Sequence, residues 1–363
     1  MNRIIVCVTN DLSTDQRVHK VCTSLVSMGF ELCLLGRKLP NSMPLNRAYQ
    51  TKRMRLLFNK GPLFYAEYNI RLFLMLLFSN YQFTLANDMD ALPGAFLATK
   101  LRSKTLVFDA HELFSEVPEV QARPKVQAFW QALEKRFLPK LTHAYTVCQS
   151  ISDYYGERYG IKMRVVRNLP KKSTEKAITD KKEQIILYQG AVNLGRGLDV
   201  MIHAMHHINN AVFWIVGGGD EYERLTQLVR KEGLEDKVRF LGRMKFEALK
   251  EITPQATIGI SIEENIGLNY YYALPNKLFD YINNEIPVLV SDFPEMGRIV
   301  DYYDIGCKLE KHEPKVIATT INKMLADKTQ MSKWVSNCRV AAEELNWETE
   351  EKVLEEIYKP LLK

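Results

Sequence analysis

The chain has 363 residues, of which 46% are hydrophobic and 25% charged; the length points to two domains, and the composition excludes a disordered or fibrous protein. Its net charge of +6 is unevenly spread: residues 1–170 hold 23 lysines and arginines against 13 acids, while the rest hold 26 against 30. A basic first half suits an anionic partner, a membrane surface or a charged substrate, and with no arginine-rich helix or aromatic-and-basic motif beside it, nucleic acid is disfavoured.

Along the first half, short β-branched runs alternate with stretches of helical period: a strand at 4–8, a helix from Asp15 to Met28, a strand at 31–36, an apolar helix from Pro62 to Phe78, and a strand at 83–87. A helix near 91–101, a strand at 105–110, a helix near 124–140 and a strand at 143–147 follow. That alternation predicts parallel strands joined by crossover helices. The lysine-rich segment 167–184 has a linker's composition, after which the pattern restarts with strands at 185–190, 211–219, 238–242, 257–262 and 287–292, and helices at 198–208, 221–231 and around 275–285. The expected architecture is α/β: two Rossmann-like doubly wound domains facing across a cleft, 1–168 and 180–347, with a tail helix at 348–363 packing back on the first. In such sheets ligands bind at the carboxyl ends of strands.

The six cysteines (7, 22, 33, 148, 307, 338) match no metal-ligand spacing and suit buried thiols in a reducing compartment. The opening apolar run, closed by Asn10 and Asp11, is too short for a signal sequence. A cytoplasmic location is therefore expected. The helix at 62–78 contains Glu67 and Arg71 and is too short in apolar residues to span a bilayer. Behind the basic stretch 51–60 it suits either an interfacial role or packing on the first sheet.

Several motifs could carry chemistry. Gly217, Gly218 and Gly219 end a strand and precede a helix, which suits close backbone approach to a ligand or merely a tight turn. Gly190, Gly195 and Gly197 do the same after the strand at 185–190, and Arg196 at that helix entrance is electrostatically unfavourable unless an anion joins it. Pro275 occupies an N1-like position of the next helix, with Lys277 and Asp280 three residues apart on one face. A lysine can neutralise a phosphate and an aspartate can accept from vicinal hydroxyls; an intrahelical ion pair is the plainer alternative. In the first half Asp109, His111 and Glu112 end a strand, and Asp15 and Arg17 follow the first strand, where Asp15 could equally cap a helix. The Asp-x-Asp at 88–90 reads as a helix start with Asp90 as its cap, and no metal is assigned.

The stretches "ENIG" (264–267), "NKLFDYI" with "IPVLVSD" (276–292) and "GRGLD" (195–199) together resemble the group 1, family 4 glycosyltransferases, which have the GT-B fold and are retaining enzymes that use nucleotide-sugar donors. The resemblance implies Glu264 near the donor sugar with the amides of Gly267 and Leu268, Asp280 on the ribose hydroxyls, and Arg196 and Lys277 on the diphosphate. It implies glycine backbone at Gly190, Gly217 and Gly218 around the donor, His111 facing donor sugar or acceptor, and Asp15 and Arg17 on the acceptor side. No cofactor and no metal are expected, the nucleotide sugar being a substrate. The implied partner is a glycan or lipid-linked acceptor, in cell-surface polysaccharide synthesis, and the basic first half adds an anionic membrane surface as a candidate. The chain departs from the family's pattern in three places: Glu264 and Asp280 are 16 residues apart instead of 8, with "NYYYALP" inserted; the second acid is aspartate; and Ala191 stands where an arginine often follows the first glycine. A GT-B-fold nucleotide-sugar epimerase and a catalytically degenerate partner subunit are the alternative readings.

Overall fold

A computed structural model describes residues 2–13, 15–172 and 183–362. Most of the expected linker, and residue 180 at which the second domain was expected to start, lie outside the described residues. The chain divides into two compact units, Met1–Asn168 together with Glu351–Lys363, and Leu169–Glu350.

In the first unit the elements run β1 (Arg3–Asp11), α1 (Gln16–Ser27), β2 (Glu31–Arg37), β3 (Gln50–Met54), α2 (Gly61–Phe78), β4 (Phe83–Asn87), α3 (Asp88–Leu101), β5 (Thr105–Ala110), α4 (Pro118–Gln121), α5 (Pro124–Phe137), β6 (His143–Thr146), α6 (Gln149–Tyr159) and β7 (Arg164–Val165). The strands form one sheet in the order β3-β2-β1-β4-β5-β6-β7, every pairing parallel. The order reverses at β1 and β4, so the loops that follow those strands flank the switch point. Strand β4 is buried along its whole length, which is why it reads as an unbroken apolar run instead of an alternating one. The edge strand β3, "QTKRM", falls within the stretch expected to be a basic flank; an edge pairs on one side only and tolerates charge.

The second unit contains β8 (Ile185–Gln189), α7 (Leu198–Ala204), β9 (Val212–Val216), α8 (Tyr222–Lys231), β10 (Val238–Gly242), α9 (Phe246–Ile252), β11 (Ile258–Ser261), α10 (Leu268–Tyr271), α11 (Asn276–Asn283), β12 (Val288–Ser291), α12 (Pro294–Tyr303), β13 (Gly306–Leu309), α13 (Pro314–Ala326) and α14 (Lys328–Glu344). Its parallel sheet has the order β10-β9-β8-β11-β12-β13. Successive residues of β8 point to opposite cores: Ile186 packs with Met201, Phe213 and Ile260, and Leu187 with Leu278, Tyr281 and Val290. Covering both faces is what makes the strands continuously hydrophobic. Here the switch point lies at β8 and β11, and the loops after them are 190–197 and 262–267. These hold Gly190, Arg196, Glu264 and Gly267.

The tail helix α15 (Trp347–Tyr358) carries Tyr358 into the first unit, where its ring meets Phe30 at 5.9 Å and its hydroxyl lies 3.4 Å from that of Tyr145. Helix α2 buries Phe64, Tyr68, Leu72 and Leu76, and the Tyr68 hydroxyl donates to the Val8 carbonyl at 2.8 Å. Its other side stays apolar and exposed at Leu63, Ile70, Leu74 and Phe78. Among the described residues no helix is long and apolar enough to cross a membrane.

Candidate functional site

In the second unit a cavity of about 370 Å³ is walled by Gly190 after β8, Gly217 and Gly218 after β9, Arg243 after β10, and Asn276, Lys277 and Asp280 on α11. The glycines are there because backbone meets backbone. Gly217 has φ +149°, and a Cβ on it would lie 1.8 Å from the Gly190 carbonyl oxygen. A side chain would therefore push apart the two turns that form the cavity floor.

Asp280 is half-buried at the wall, with one carboxylate oxygen accepting from Gln189 Nε2 at 2.8 Å. Gln189 is oriented in turn by Thr253, whose hydroxyl donates to its Oε1 at 2.8 Å. Asp280 thus has a fixed rotamer before any ligand arrives. Pro275, expected as the first helical residue, is the extended residue just before α11, at φ −69° and ψ 137°. The shift of one position follows from its ψ, which lies outside the helical region.

Lys277 pairs with an acid outside its own helix. Its ammonium lies 2.6 Å from Glu263 Oε1 and 4.3 Å from the centre of the Tyr188 ring, with 7% of the side chain exposed. Glu263, fully buried, is also 3.6 Å from Arg196 Nη1, and its Oε2 accepts from the Ser261 hydroxyl at 2.9 Å. Burial disfavours the Glu263 anion, yet Lys277, Arg196 and Ser261 hold its carboxyl below the ordinary range. Two cations thus converge on one buried carboxylate at the switch point, with Asp280 on the same cavity wall as Lys277.

Arg196 is fastened by the inserted tyrosines. Its guanidinium stacks over Tyr270 at 4.7 Å, Tyr270 donates to the Leu194 carbonyl at 3.2 Å, and Tyr271 packs on Phe293 at 5.3 Å. Arg196 Nε is buried without an acceptor among the described residues. Glu264 is half-buried, and its backbone N–H donates to the Gly195 carbonyl at 2.9 Å. Burial and the nearby Asp199 raise its carboxyl above the ordinary value, against the pull of His312 and Arg224. Gly267 adopts φ 147° and directly precedes α10, of which Leu268 is the first residue.

The first unit has a charge cluster of its own. Arg17, at the start of α1, donates from Nε and Nη2 to the two oxygens of Asp109 at 3.0 and 2.8 Å, and from Nη1 to the Val166 carbonyl at 2.9 Å. It is closed into a buried ion pair rather than presented to an acceptor, because the end of β5 lies directly beside it. Asp15 caps α1 by accepting from Val18 N at 3.0 Å. His111 lies between two carboxylates: Nε2 is 3.1 Å from Asp109 Oδ2, and Nδ1 is 3.2 Å from Asp88 Oδ2. Burial disfavours its charge, but Asp88 and Asp109 outweigh that and raise His111 to about 9, so it is an imidazolium at neutral pH. Asp88 has φ +59°, and its other oxygen accepts the His111 backbone N–H at 2.7 Å. Burial raises Asp88 to about 7 and Asp90 to about 6. Asp90, expected to cap a helix starting at 91, lies inside α3 and accepts from the Thr9 hydroxyl instead. Helix α3 starts three residues earlier, immediately after β4.

The structure thus gathers Gly190, Gly217, Gly218, Lys277 and Asp280 around one cavity and joins Arg196 to Lys277 through Glu263. Glu264, Gly267 and Leu268 sit in the adjoining β11 loop but do not line that cavity. The sequence reading missed Glu263, Gln189 and Arg243. Glu263 carried a signal, an acid adjoining an apolar strand; Gln189 and Arg243 carried none.

Comparison with known proteins follows these two units. Residues 15–169 match the model for Glycosyltransferase Family 4, and residues 171–340 that for Glycosyl transferases group 1. The whole chain superposes on sucrose-phosphate synthase from Thermosynechococcus elongatus with a TM-score of 0.81 at 18% identity, covering 100% of this chain and 99% of that one. It also superposes on Anabaena HepE in complex with UDP-glucose, at a TM-score of 0.74 and 13% identity over 99% of each chain. The fold is that of the GT-B class of glycosyltransferases. Within that class the chain belongs to the group 1 glycosyltransferases. An uncharacterized glycosyltransferase of Methanocaldococcus jannaschii is 26% identical over 183 residues, which are 49% of this chain and 45% of that protein. The match therefore spans less than half the length of that curated relative.

Proposed function

We propose that this glycosyltransferase moves a hexosyl group, with retention of anomeric configuration, from a nucleoside diphosphate donor to a hydroxyl of a glycan or lipid-linked acceptor in cell-surface polysaccharide synthesis. The carrying observation is the glycine-floored cavity whose wall holds a pre-oriented aspartate and a lysine that is joined to Arg196 through the buried Glu263. Asp280 accepts from the ribose diol, and the backbone of Gly190, Gly217 and Gly218 follows the nucleotide. Arg196 and Lys277 face the diphosphate. Arg243, exposed beside Gly218, supplies the cation that Ala191 cannot. The solved complex of HepE with UDP-glucose, on the same fold, supports a nucleotide-sugar donor.

In the reaction the bond between the sugar C1 and the diphosphate oxygen breaks, and the leaving group keeps the electron pair. The acceptor oxygen bonds to C1, and its proton passes to the leaving phosphate. Arg196 and Lys277 stabilise the charge that develops on that phosphate, a role that requires no metal. Glu264, with Gly267 and Leu268 after it, holds the sugar hydroxyls. His111 faces the sugar or acceptor as a fixed positive charge: both its ring nitrogens are engaged by Asp109 and Asp88, so it removes no proton itself.

The exposed apolar face of α2, flanked by Leu57 and Phe58 and by Lys52, Arg55 and Lys60, suits a cytoplasmic enzyme resting on an anionic membrane. Glu67 does not spoil this face, because its carboxylate accepts from the backbone of Leu57 and Phe58 and pairs with Arg71 at 2.7 Å.

The test is a panel of nucleotide sugars and acceptor lipids read by mass spectrometry, with the product anomer assigned by NMR, in the presence and absence of EDTA. Transfer with retention, unchanged by the chelator, is expected. Inversion, or loss of activity restored by added metal, overturns the mechanism. Turnover of donor without acceptor indicates an epimerase, and failure to bind any nucleoside diphosphate indicates a non-catalytic partner.

A further inference from the structure

At the far end of α7 from Gly197 stands a cluster that the donor reading does not use. His203 on α7 and His206 in the 3₁₀ turn that continues it are three residues apart, which places them side by side. Glu232, the residue that ends α8, reaches them both through one oxygen. Its Oε2 is 3.0 Å from His206 Nε2 and 3.9 Å from His203 Nδ1, and the three ligand atoms all lie within 4.8 Å of one another. Tetrahedral coordination with bonds of ~2.0–2.1 Å needs neighbouring ligand atoms about 3.3 Å apart, so modest side-chain rotations close the geometry.

The backbone that carries these groups is already fixed. The Lys237 ammonium donates to the carbonyls of Met205 and Ile208 at 3.2 and 2.8 Å, and Asn322 Nδ2 on α13 donates to the His207 carbonyl at 2.8 Å. The Glu232 N–H donates back to the Leu228 carbonyl at 2.9 Å. His203 and His206 also border an open depression, with His207, Glu313 and Lys315, which gives an ion a route in from solvent. Two imidazole nitrogens and one carboxylate oxygen are the ligand types that zinc accepts in three-ligand sites with an open fourth position.

We propose that His203, His206 and Glu232 bind one divalent ion of the zinc class on the second unit. The ion replaces the His206–Glu232 hydrogen bond and ties the end of α7 to the end of α8. His206 lies eight residues beyond the start of α7, roughly 12 Å along a helix axis, so the site is separate from the donor cavity and independent of the proposed reaction.

Calorimetric titration of the tag-free full chain with Zn²⁺, paired with melting curves, tests this. One equivalent of saturable binding is expected, with a melting temperature that rises with zinc concentration, as binding to the folded form requires. His206→Ala and Glu232→Gln weaken binding by roughly tenfold or more, while His207→Ala, which removes a neighbour but no ligand atom, leaves it unchanged. All these positions are at least partly exposed, so the variants fold. Absence of one-to-one binding overturns the proposal, as does binding unchanged in the His203→Ala/His206→Ala double variant, which would place the ion on cysteines or elsewhere.

Discussion

The two units have the same plan, a parallel sheet with a charge cluster at the strand carboxyl ends, but they balance that charge differently. In the first, Arg17 and the His111 imidazolium are met by Asp109 and Asp88, with Asp90 close by, so the cluster closes on itself. In the second, Arg196 and Lys277 converge on the single buried carboxylate of Glu263, while Asp280 on the cavity wall accepts from the neutral amide of Gln189. Buried charges need partners, and Arg196 Nε, buried without an acceptor among the described residues, keeps a donor to offer an anionic ligand. The contrast teaches which cluster is closed by its own carboxylates and which keeps a buried donor without an acceptor among the described residues.

The sharpest way to break the comparison is Asp109→Asn. It leaves Arg17 and His111 as buried cations without their shared counter-charge, and a loss of about 3–5 kcal/mol of stability in the first unit is expected from denaturant unfolding. Nucleoside diphosphate affinity, which the proposed function assigns to the second unit, should not change; a parallel loss of affinity would show that the two clusters are not separate. Next in size is Lys277→Ala. At saturating donor the rate should fall by ~10²–10³, or about 2.7–4 kcal/mol, the range for removing one donor to a developing charge. Normal turnover in a folded variant would mean that Lys277 serves only to neutralise Glu263.

Asp280→Asn should act on binding rather than rate. It keeps its size and loses charge, so donor and free nucleotide should weaken together by about 1.5–3 kcal/mol, measurable by titration calorimetry. Equal affinity in both proteins would remove Asp280 from the ribose.

The smallest effect sharpens the contrast through pH. The folded value of His111, about 9, lies above its ordinary 6.5, so its stabilisation is full below 6.5 and is lost as pH rises through about 9. The raised Asp88 acts in the same direction, since its ionisation opposes folding as pH climbs toward 7. Melting of the first unit should therefore weaken between pH 7 and 9.5, and His111→Gln should flatten that slope. Glu263 is held low, so its contribution persists at alkaline pH and is lost only as acid takes pH down through its folded value. A His111→Gln profile parallel to that of the unaltered protein would show that the histidine is neutral.

Local pattern settled a good deal. The period of apolar residues marked both α/β repeats, from Ile4 to Tyr145 and from Ile185 to Val290, because strands buried on both faces and amphipathic crossover helices have distinct signatures in one dimension. The turns at Gly190 and Gly217 and the acid Asp280 were legible for the same reason, since backbone crowding admits only glycine at Gly217 and the α11 sequence runs straight into a buried strand. The expected alternation stops at the strand 287–292 and omits helices α12, α13 and α14. Which charges meet was decided only by tertiary structure. Lys277 and Asp280 share a helix and were natural partners by spacing, yet the fold brings Glu263 from β11 to the lysine and Gln189 from β8 to the aspartate. Arg17 and Asp109 are 92 residues apart and join only because β1 and β5 flank β4 in one sheet. Sequence period records what each residue does with its neighbours in the chain; a buried charge takes its partner from whichever strand the sheet order places beside it.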